Sequence, residues 1–350
     1  MTAETVHPDT FYMSRCIVLA KKGIRNTASN PMVGAVLVCN GVIIGEGYHQ
    51  KFGSPHAEIN AINAVSTENK HLIPQSTLYV SLEPCSHSGK TPPCAHRIVT
   101  EKIPRVVFGC KDPNPLVAGK GIDYLRANNV AVDGPIMEKE AQDLIQKFKI
   151  NLKGLPYISL KWAQSEDLYL SAKDHQVWLS NKYTQILTHK WRSEVDGIMV
   201  GRNTAQIDDP SLDVRQYYGP NPIRALIDTH LKTDPSMKLL SDGKPTIVIN
   251  SKIEQNDGQT HYIKVTDTND LTNILKVLFN FGITSLLVEG GASLLQSFIN
   301  QGLWHEARVI RTKTTLGDGI KAPAVQGKLQ EKMQVANDEI LFITNPSMQA

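Results

Sequence analysis

Apolar positions recur along this chain with two periods, one near 3.6 and one near 2, and their alternation predicts helices and strands in two successive groups. A first helix carries Phe11, Met13, Ile17 and Ala20, is capped by Asp9 or Thr10, and stops at Gly23. Residues 30–39 read as a mostly apolar strand, Asn40-Gly41 as a two-residue hairpin turn, and residues 42–49 as the return strand. A helix then begins at His56 and continues through Ala61, Ile62 and Val65. Strands follow at 76–82, 105–109 and 130–132, with helices at 94–99 and 121–127 and a loop at Asp112-Pro113-Asn114-Pro115 between them. Residues 138–149 form a charged helix that Gly154-Leu155-Pro156 breaks, placing a domain boundary near residues 148–155.

The second group opens with a buried strand at 157–163. A helix at about 181–194 leads into a strand at 197–200, and strands follow at 224–228 and 246–249. An amphipathic helix spans 271–281, a strand at 285–288 ends in Glu289-Gly290-Gly291, and a helix spans 292–300. Residues 340–343 read as a closing strand in an otherwise uninformative C-terminal stretch. Both groups mix helices with strands, which makes each an α/β domain, residues 1–150 and 151–350.

Composition narrows the field. The 350 residues carry a formal net charge of +3, with no long Lys/Arg run, which argues against a nucleic-acid footprint. Five cysteines in a chain this long do not make a disulfide framework. There is no basic-then-apolar leader and no apolar run that would span a bilayer, so a cytoplasmic protein with reduced thiols is expected.

The chemistry concentrates between His56 and Cys94. His56-Ala57-Glu58 precedes Pro84-Cys85 and, nine positions after Cys85, Cys94. One His and two Cys are ligands that zinc prefers, and three protein ligands leave a position for water, as in catalytic sites. Glu58 stands where a proton carrier is needed. Both His56 and Cys94 fall at predicted helix starts, whose partial positive charge favours thiolate over thiol. Two other readings stand beside this one: a structural zinc site completed by His87, or two ordinary buried cysteines. The structural reading leaves Glu58 without a purpose, and the pair together with His56 and Glu58 favours catalysis. In the second group, Glu289-Gly290-Gly291-Ala292-Ser293 lies between a strand and a helix, where glycines allow close approach of a ligand and the helix N-terminus can receive a phosphate; a plain tight turn is the bland alternative. No Gly-x-Gly-x-x-Gly is present.

His-x-Glu with Pro-Cys and a second Cys is the pattern of zinc nucleobase deaminases. Asn30-Pro-x-Val-Gly-Ala-Val, Gly47-x-His49, His56-Ala-Glu58, the Cys85–Cys94 loop and Asp112-Pro-Asn-Pro-x-Val-x-Gly-x-Gly121 occur in one order. Together they resemble the bifunctional riboflavin-biosynthesis deaminase/reductase family; the long Cys85–Cys94 loop separates that family from tRNA and cytidine deaminases. The resemblance implies a cytidine-deaminase-like three-layer sandwich followed by a dihydrofolate-reductase-like domain. It also implies zinc held by His56, Cys85 and Cys94, with Glu58 as proton shuttle to a zinc-bound hydroxide. The substrate would be 2,5-diamino-6-ribosylamino-4(3H)-pyrimidinone 5′-phosphate, contacted by Asn30, His49 and Lys90.

For the second half, the resemblance implies an NADPH site lined by Ala163, Trp178, Thr204, Asp208 and the turn and helix Gly291, Ala292, Ser293, Leu294, Leu295, Gln296 and Ser297. Lys161, Arg192, Leu212, Arg215 and Glu289 would hold the ribosylamino pyrimidine phosphate, with the two arginines suited to clamp phosphate. One segment departs from the family pattern: Ser165-Glu166-Asp167-Leu168 carries Leu where Gly is usual. A side chain there disfavours positive φ, so the expectation is a loop on another path or a weakened reductase. The alternatives are therefore an active deaminase with an impaired reductase, and, further off, a nucleic-acid-editing zinc deaminase or a structural zinc module. The partner expected is a small molecule, with no nucleic acid and no membrane; homo-oligomerisation is left open.

Overall fold

The computed structural model describes residues 8–86, 92–115, 117–172 and 177–348. The chain divides into two compact units, Met1–Lys153 and Gly154–Ala350.

In the first unit α1 (Pro8–Ala20) precedes a hairpin of β1 (Gly34–Cys39) and β2 (Val42–Tyr48). Then come α2 (Ala57–Asn63), β3 (Thr77–Leu82), α3 (Cys94–Thr100), β4 (Arg105–Cys110), α4 (Lys120–Ala127), β5 (Ala131–Asp133), α5 (Glu138–Leu144) and α6 (Gln146–Asn151). The charged stretch read as one helix is two, α5 and α6, separated at Ile145. The strands form one sheet in the order β2-β1-β3-β4-β5, with β1 antiparallel to both neighbours and β3, β4 and β5 parallel.

All six positions of β1 are buried, so both faces of the sheet are covered. Gly34 is what lets α1 sit on one of them. A Cβ there would lie 2.0 Å from the Cys16 carbonyl oxygen. Gly47 pairs with Ala35, one residue on from Gly34, and so faces the other way. A Cβ on Gly47 would lie 2.3 Å from the Ala61 nitrogen of α2. The result is three layers, helix–sheet–helix.

The second unit contains β6 (Tyr157–Gln164), β7 (Tyr169–Ser171), α7 (Lys182–Ser193), β8 (Gly197–Gly201), α8 (Arg202–Asp208), β9 (Ile223–Ile227), α9 (Lys238–Ser241) and β10 (Thr246–Asn250). It continues with β11 (Gln255–Asp257), β12 (Thr260–Lys264), α10 (Leu271–Asn280), β13 (Ser285–Glu289), α11 (Ala292–Asn300), β14 (Glu306–Arg311), β15 (Ile320–Lys321), β16 (Lys328–Val335) and β17 (Asp338–Thr344). Among the described residues, ten of these strands make one sheet, ordered β11-β12-β10-β9-β8-β13-β6-β14-β17-β16. From β12 to β14 every pairing is parallel. β13 lies near the middle and is buried at all five positions; Leu286 and Val288 pack into one core and Leu287 into the core on the opposite face.

The hydrophobic pattern does not disclose β12, β14 or β16. β16 is largely exposed and rich in Lys, Glu and Gln. It is a strand because β17 supplies a full ladder, and charged residues suit a sheet edge.

Candidate active sites

In the first unit the chain brings together residues that lie far apart in sequence. His56 stands at the N-cap of α2, Cys94 is the first residue of α3, and Cys85 follows β3 in the loop. The His56 Nδ1 atom is 3.6 Å from Cys85 Sγ and 3.3 Å from Cys94 Sγ. The three donor atoms lie within 4.8 Å of one another. Tetrahedral zinc with bonds of about 2.1–2.3 Å separates its ligand atoms by roughly 3.5–3.7 Å. The donor types and their spacing therefore fit a zinc ion. Among the described residues no fourth His, Cys, Asp or Glu joins the group; His87, the fourth ligand of the structural reading, lies outside the described residues.

The electrostatics are those of a site built for a cation. Cys94 and His56 both hydrogen-bond Cys85, and its thiol is pulled down to about 4 despite burial. Cys94, bonded to Cys85, buried and close to Glu58, is pushed up. The pair favours a thiolate on Cys85, the form of cysteine that binds metal. His56 rises to about 9 through its bond to Cys85, against the opposing effect of burial. Glu58, in the first turn of α2, is buried, and burial pushes its carboxyl up to about 7.

These groups open onto a cavity of about 280 Å³ whose walls include Asn30, His49, Glu58, Cys85, Asp112, Asn114 and Phe148. Asn30 Nδ2 is 3.1 Å from His49 Nε2, and His49 Nδ1 is 3.3 Å from the Pro55 carbonyl oxygen. The second contact requires the proton on Nδ1, so Nε2 accepts from the Asn30 amide. His49 is buried, and burial lowers its pKa. Lys90 lies outside the described residues.

In the second unit Glu289, Gly291 and Thr204 lie at or just after the C-terminal ends of the parallel strands β13 and β8, where open α/β sheets bind ligands. Glu289 ends β13 and pairs in register with Lys161 of β6. Lys161 Nζ is 3.6 Å from Glu289 Oε2, and Arg192 of α7 donates to both Glu289 oxygens at 2.8 and 2.9 Å. Burial alone would raise the Glu289 carboxyl, but Arg192 and Lys161 hold it at about 2. Lys161 is lowered by burial, which outweighs its attraction to Glu289. The Arg192 fork, expected to clamp phosphate, is thus turned to a carboxylate. Asp213 links the two arginines. Its carbonyl oxygen accepts from Arg192 and its carboxylate from Arg215. Leu212, at φ +50, is buried in the core beside them.

The Glu289-Gly290-Gly291 turn packs directly on Thr204. A Cβ on Gly290 would stand 2.7 Å from Thr204 Cγ2, and one on Gly291 2.9 Å from Thr204 Oγ1; both glycines have positive φ. The missing side chains let the turn close on Thr204 at the start of α11, a helix N-terminus whose free N–H groups suit a phosphate-bearing cofactor. Along that helix, Ala292 and Ser293 lie in its first turn, Leu294 is 3.8 Å from the position of a Gly201 Cβ, and Leu295 is wholly buried in the core. Gln296 accepts from the Ala324 N–H and Ser297 donates to Ser293. Ala163 is half-buried against the core, Asp208 ends α8 on the surface, and Trp178 is 70% exposed.

The expectation of a different path at Leu168 is not met. Leu168 takes φ +65, the conformation the usual glycine would take. Its N–H donates to the Ser165 carbonyl and its carbonyl accepts from Ala322. Ser165 Oγ donates to Asp167, whose carboxylate also accepts from Leu316 and Gly317. The surrounding bonds over-determine the turn, and a side chain that is half exposed meets no wall.

Residues 156–344 match the RibD C-terminal domain model, and residues 6–110 match the cytidine and deoxycytidylate deaminase zinc-binding region. The riboflavin biosynthesis protein RibD of Aquifex aeolicus is 39% identical over 89% of both chains. The chain belongs to the RibD family. It is a bifunctional deaminase/reductase of riboflavin biosynthesis, with a zinc-binding deaminase domain and an NADPH-binding reductase domain. The RibD of Escherichia coli is 30% identical over 96% of this chain and 99% of its own. Two solved structures are similar over nearly the whole chain. The Thermotoga maritima diaminohydroxyphosphoribosylaminopyrimidine deaminase/5-amino-6-(5-phosphoribosylamino)uracil reductase has a TM-score of 0.87, 29% identity and coverage of 97% and 99%. Acinetobacter baumannii RibD has a TM-score of 0.84, 30% identity and coverage of 96% and 98%. No described helix is long and apolar enough to cross a membrane.

Within this RibD-type fold, sequence reasoning passed over Asp112, Asn114 and Phe148 of the cavity wall, Asp213 between the arginines, and Glu83. Asp112 and Asn114 belong to the Asp112-Pro113-Asn114-Pro115 loop, whose sequence alone marks no contact with the site. Glu83 had one signal: it immediately precedes Pro84-Cys85.

Proposed function

We propose that residues 1–150 convert 2,5-diamino-6-ribosylamino-4(3H)-pyrimidinone 5′-phosphate to the corresponding uracil with release of ammonia, and that residues 151–350 reduce the ribosyl chain of that product. The observation that carries the first half is the convergence of His56, Cys85 and Cys94 on one point at the floor of a cavity, with buried Glu58 beside it. Zinc bound by these three side chains makes a nucleophilic water available near neutral pH. Glu58 would take one proton from that water and give it to the ring nitrogen, then take the second from the new C2 hydroxyl and give it to the amine, which leaves as ammonia as the C2 carbonyl forms. Its burial keeps that carboxyl close to the pKa such a relay needs. Asn30 and His49 orient the pyrimidine, the neutral imidazole fixing which end of the Asn30 amide faces the ligand, and Lys90 holds the substrate.

In the reductase half, NADPH supplies a hydride to C1′ of the ring-opened ribose. Thr204 and the cradle from Gly291 to Ser297, with Ala163, Trp178 and Asp208, receive the cofactor. Lys161, Arg192, Leu212, Arg215 and Glu289 hold the ribosylamino pyrimidine phosphate. Ser-x-Asp at 165–167 keeps its turn, which supports an active reductase over an impaired one. The small net charge supports a small-molecule substrate over nucleic acid, in the cytoplasm.

The test is an assay of the purified full chain on this substrate, with ammonia release and NADPH oxidation followed separately. Both signals are expected. Ammonia without NADPH oxidation would overturn the reductase assignment. The absence of both, from folded and zinc-loaded protein, would overturn the substrate.

A further inference from the structure

We propose that Glu83 is a positioning residue of the deaminase, a latch that couples the Cys85 ligand loop to the Asp112–Val117 part of the substrate-cavity wall. Glu83 is buried and follows the last residue of β3. Its Oε2 accepts the N–H groups of Asp112 and Gly119, at 3.3 and 3.0 Å. Its Oε1 accepts those of Gly121 and Ile122, at 3.1 and 3.4 Å. A carboxylate has about four lone-pair directions, and four backbone donors take them. Glu83 therefore has no lone pair left for a substrate, although it lines the cavity. Its work is to hold backbone.

Of the four donors Asp112 lines the cavity, and the other three follow Asn114 and Val117 along the chain. Asp112, Asn114 and Val117 face the same space as Glu58 and Cys85, and Asn114 N–H is tied back to Asp112 Oδ1 at 2.8 Å. Next to Glu83, the Pro84 carbonyl oxygen abuts Gly121 so closely that a Cβ there would lie 1.8 Å from it. The chain on either side of Glu83 is thus locked, by hydrogen bonds and by contact, to the segment carrying the wall. Moving the wall moves the mouth of the site without touching His56, Glu58 or Cys94. The inference rests on the deaminase reading and deepens it: substrate placement, and not metal binding or proton transfer, is what Glu83 controls.

Glu83→Gln replaces one acceptor oxygen with an NH₂ group, which cannot accept the two N–H groups aimed at it. In the full-length zinc-loaded enzyme the deaminase KM rises about tenfold or more, kcat falls less than about threefold, and zinc stays stoichiometric. Stoichiometric zinc reports an intact deaminase unit, and reductase kinetics on the deaminated substrate stay at the wild-type values. A KM within twofold of wild type at full zinc overturns the proposal; so does activity that falls only in step with zinc content. Should Glu83→Gln not fold, Gly121→Ala forces the same joint apart from the other side, with the same KM rise expected and the same two outcomes fatal. Wild-type protein that releases no ammonia would instead refute the underlying deaminase reading.

Discussion

The Arg192 guanidinium and the Glu289 carboxylate meet fork to fork, through bonds of 2.8 and 2.9 Å, with Lys161 Nζ 3.6 Å from the same carboxylate. Two cations thus depend on one buried anion. Glu289→Ala leaves Lys161 and Arg192 as uncompensated buried charges and is expected to cost about 3–5 kcal/mol. Chemical denaturation at pH 7 measures this directly.

The same carboxylate carries a pH signature. Its folded pKa of about 2 lies below the ordinary 4.5. The stability it contributes is therefore complete above about 4.5 and is lost as pH falls from there toward 2. The wild-type advantage over Glu289→Gln should shrink steadily across that window in urea melts. An advantage that stays constant from pH 6 to pH 2.5 would show that Glu289 does not titrate as the geometry requires.

Glu58 is buried, lines the same cavity as His56 and Cys85, and is not among the ligand trio. Glu58→Gln should retain a full equivalent of zinc, read by elemental analysis, while ammonia release falls by about 10²–10⁴. Loss of zinc in this variant would recast Glu58 as a ligand.

Metal removal should divide the two activities. The zinc donors all lie in Met1–Lys153, and the Glu289–Arg192–Lys161 cluster lies in Gly154–Ala350. Dialysis against a strong chelator is expected to abolish ammonia release and leave NADPH oxidation on the deaminated substrate unchanged. Parallel loss of both would refute this independence.

Leu168 occupies φ +65 with its side chain half exposed. A left-handed L-residue costs about 1–2 kcal/mol, and the extra flexibility of glycine in the unfolded chain costs roughly 0.5–1 kcal/mol. Leu168→Gly is therefore expected to stabilise by about 0.5–1 kcal/mol, with reductase KM unchanged. A lowered melting temperature would mean that Leu168 makes contacts that offset its strain.

The zinc trio and Glu58 were legible in the sequence because their chemistry survives as residue type and order. His, two Cys and a Glu at those spacings have few other uses, and Asn40-Gly41 or the apolar run of 285–288 carries its local structure in its own residues. Other features depend on what the chain meets after folding. β16 is polar along its length and is a strand only because β17 offers it a ladder. Leu168 takes a glycine conformation because Ser165, Asp167 and Ala322 hold it there. Arg192 finds its bidentate partner in Glu289, 97 residues away, which nothing local to Arg192 in the sequence names. Glu83 reads as one more acid before a proline, until the N–H groups of Asp112, Gly119, Gly121 and Ile122, 29 to 39 residues away, converge on it. Residue type determines which bonds a side chain can make. Only the tertiary structure decides which partner arrives, because a buried polar group takes whichever partner the packing of distant segments delivers to it.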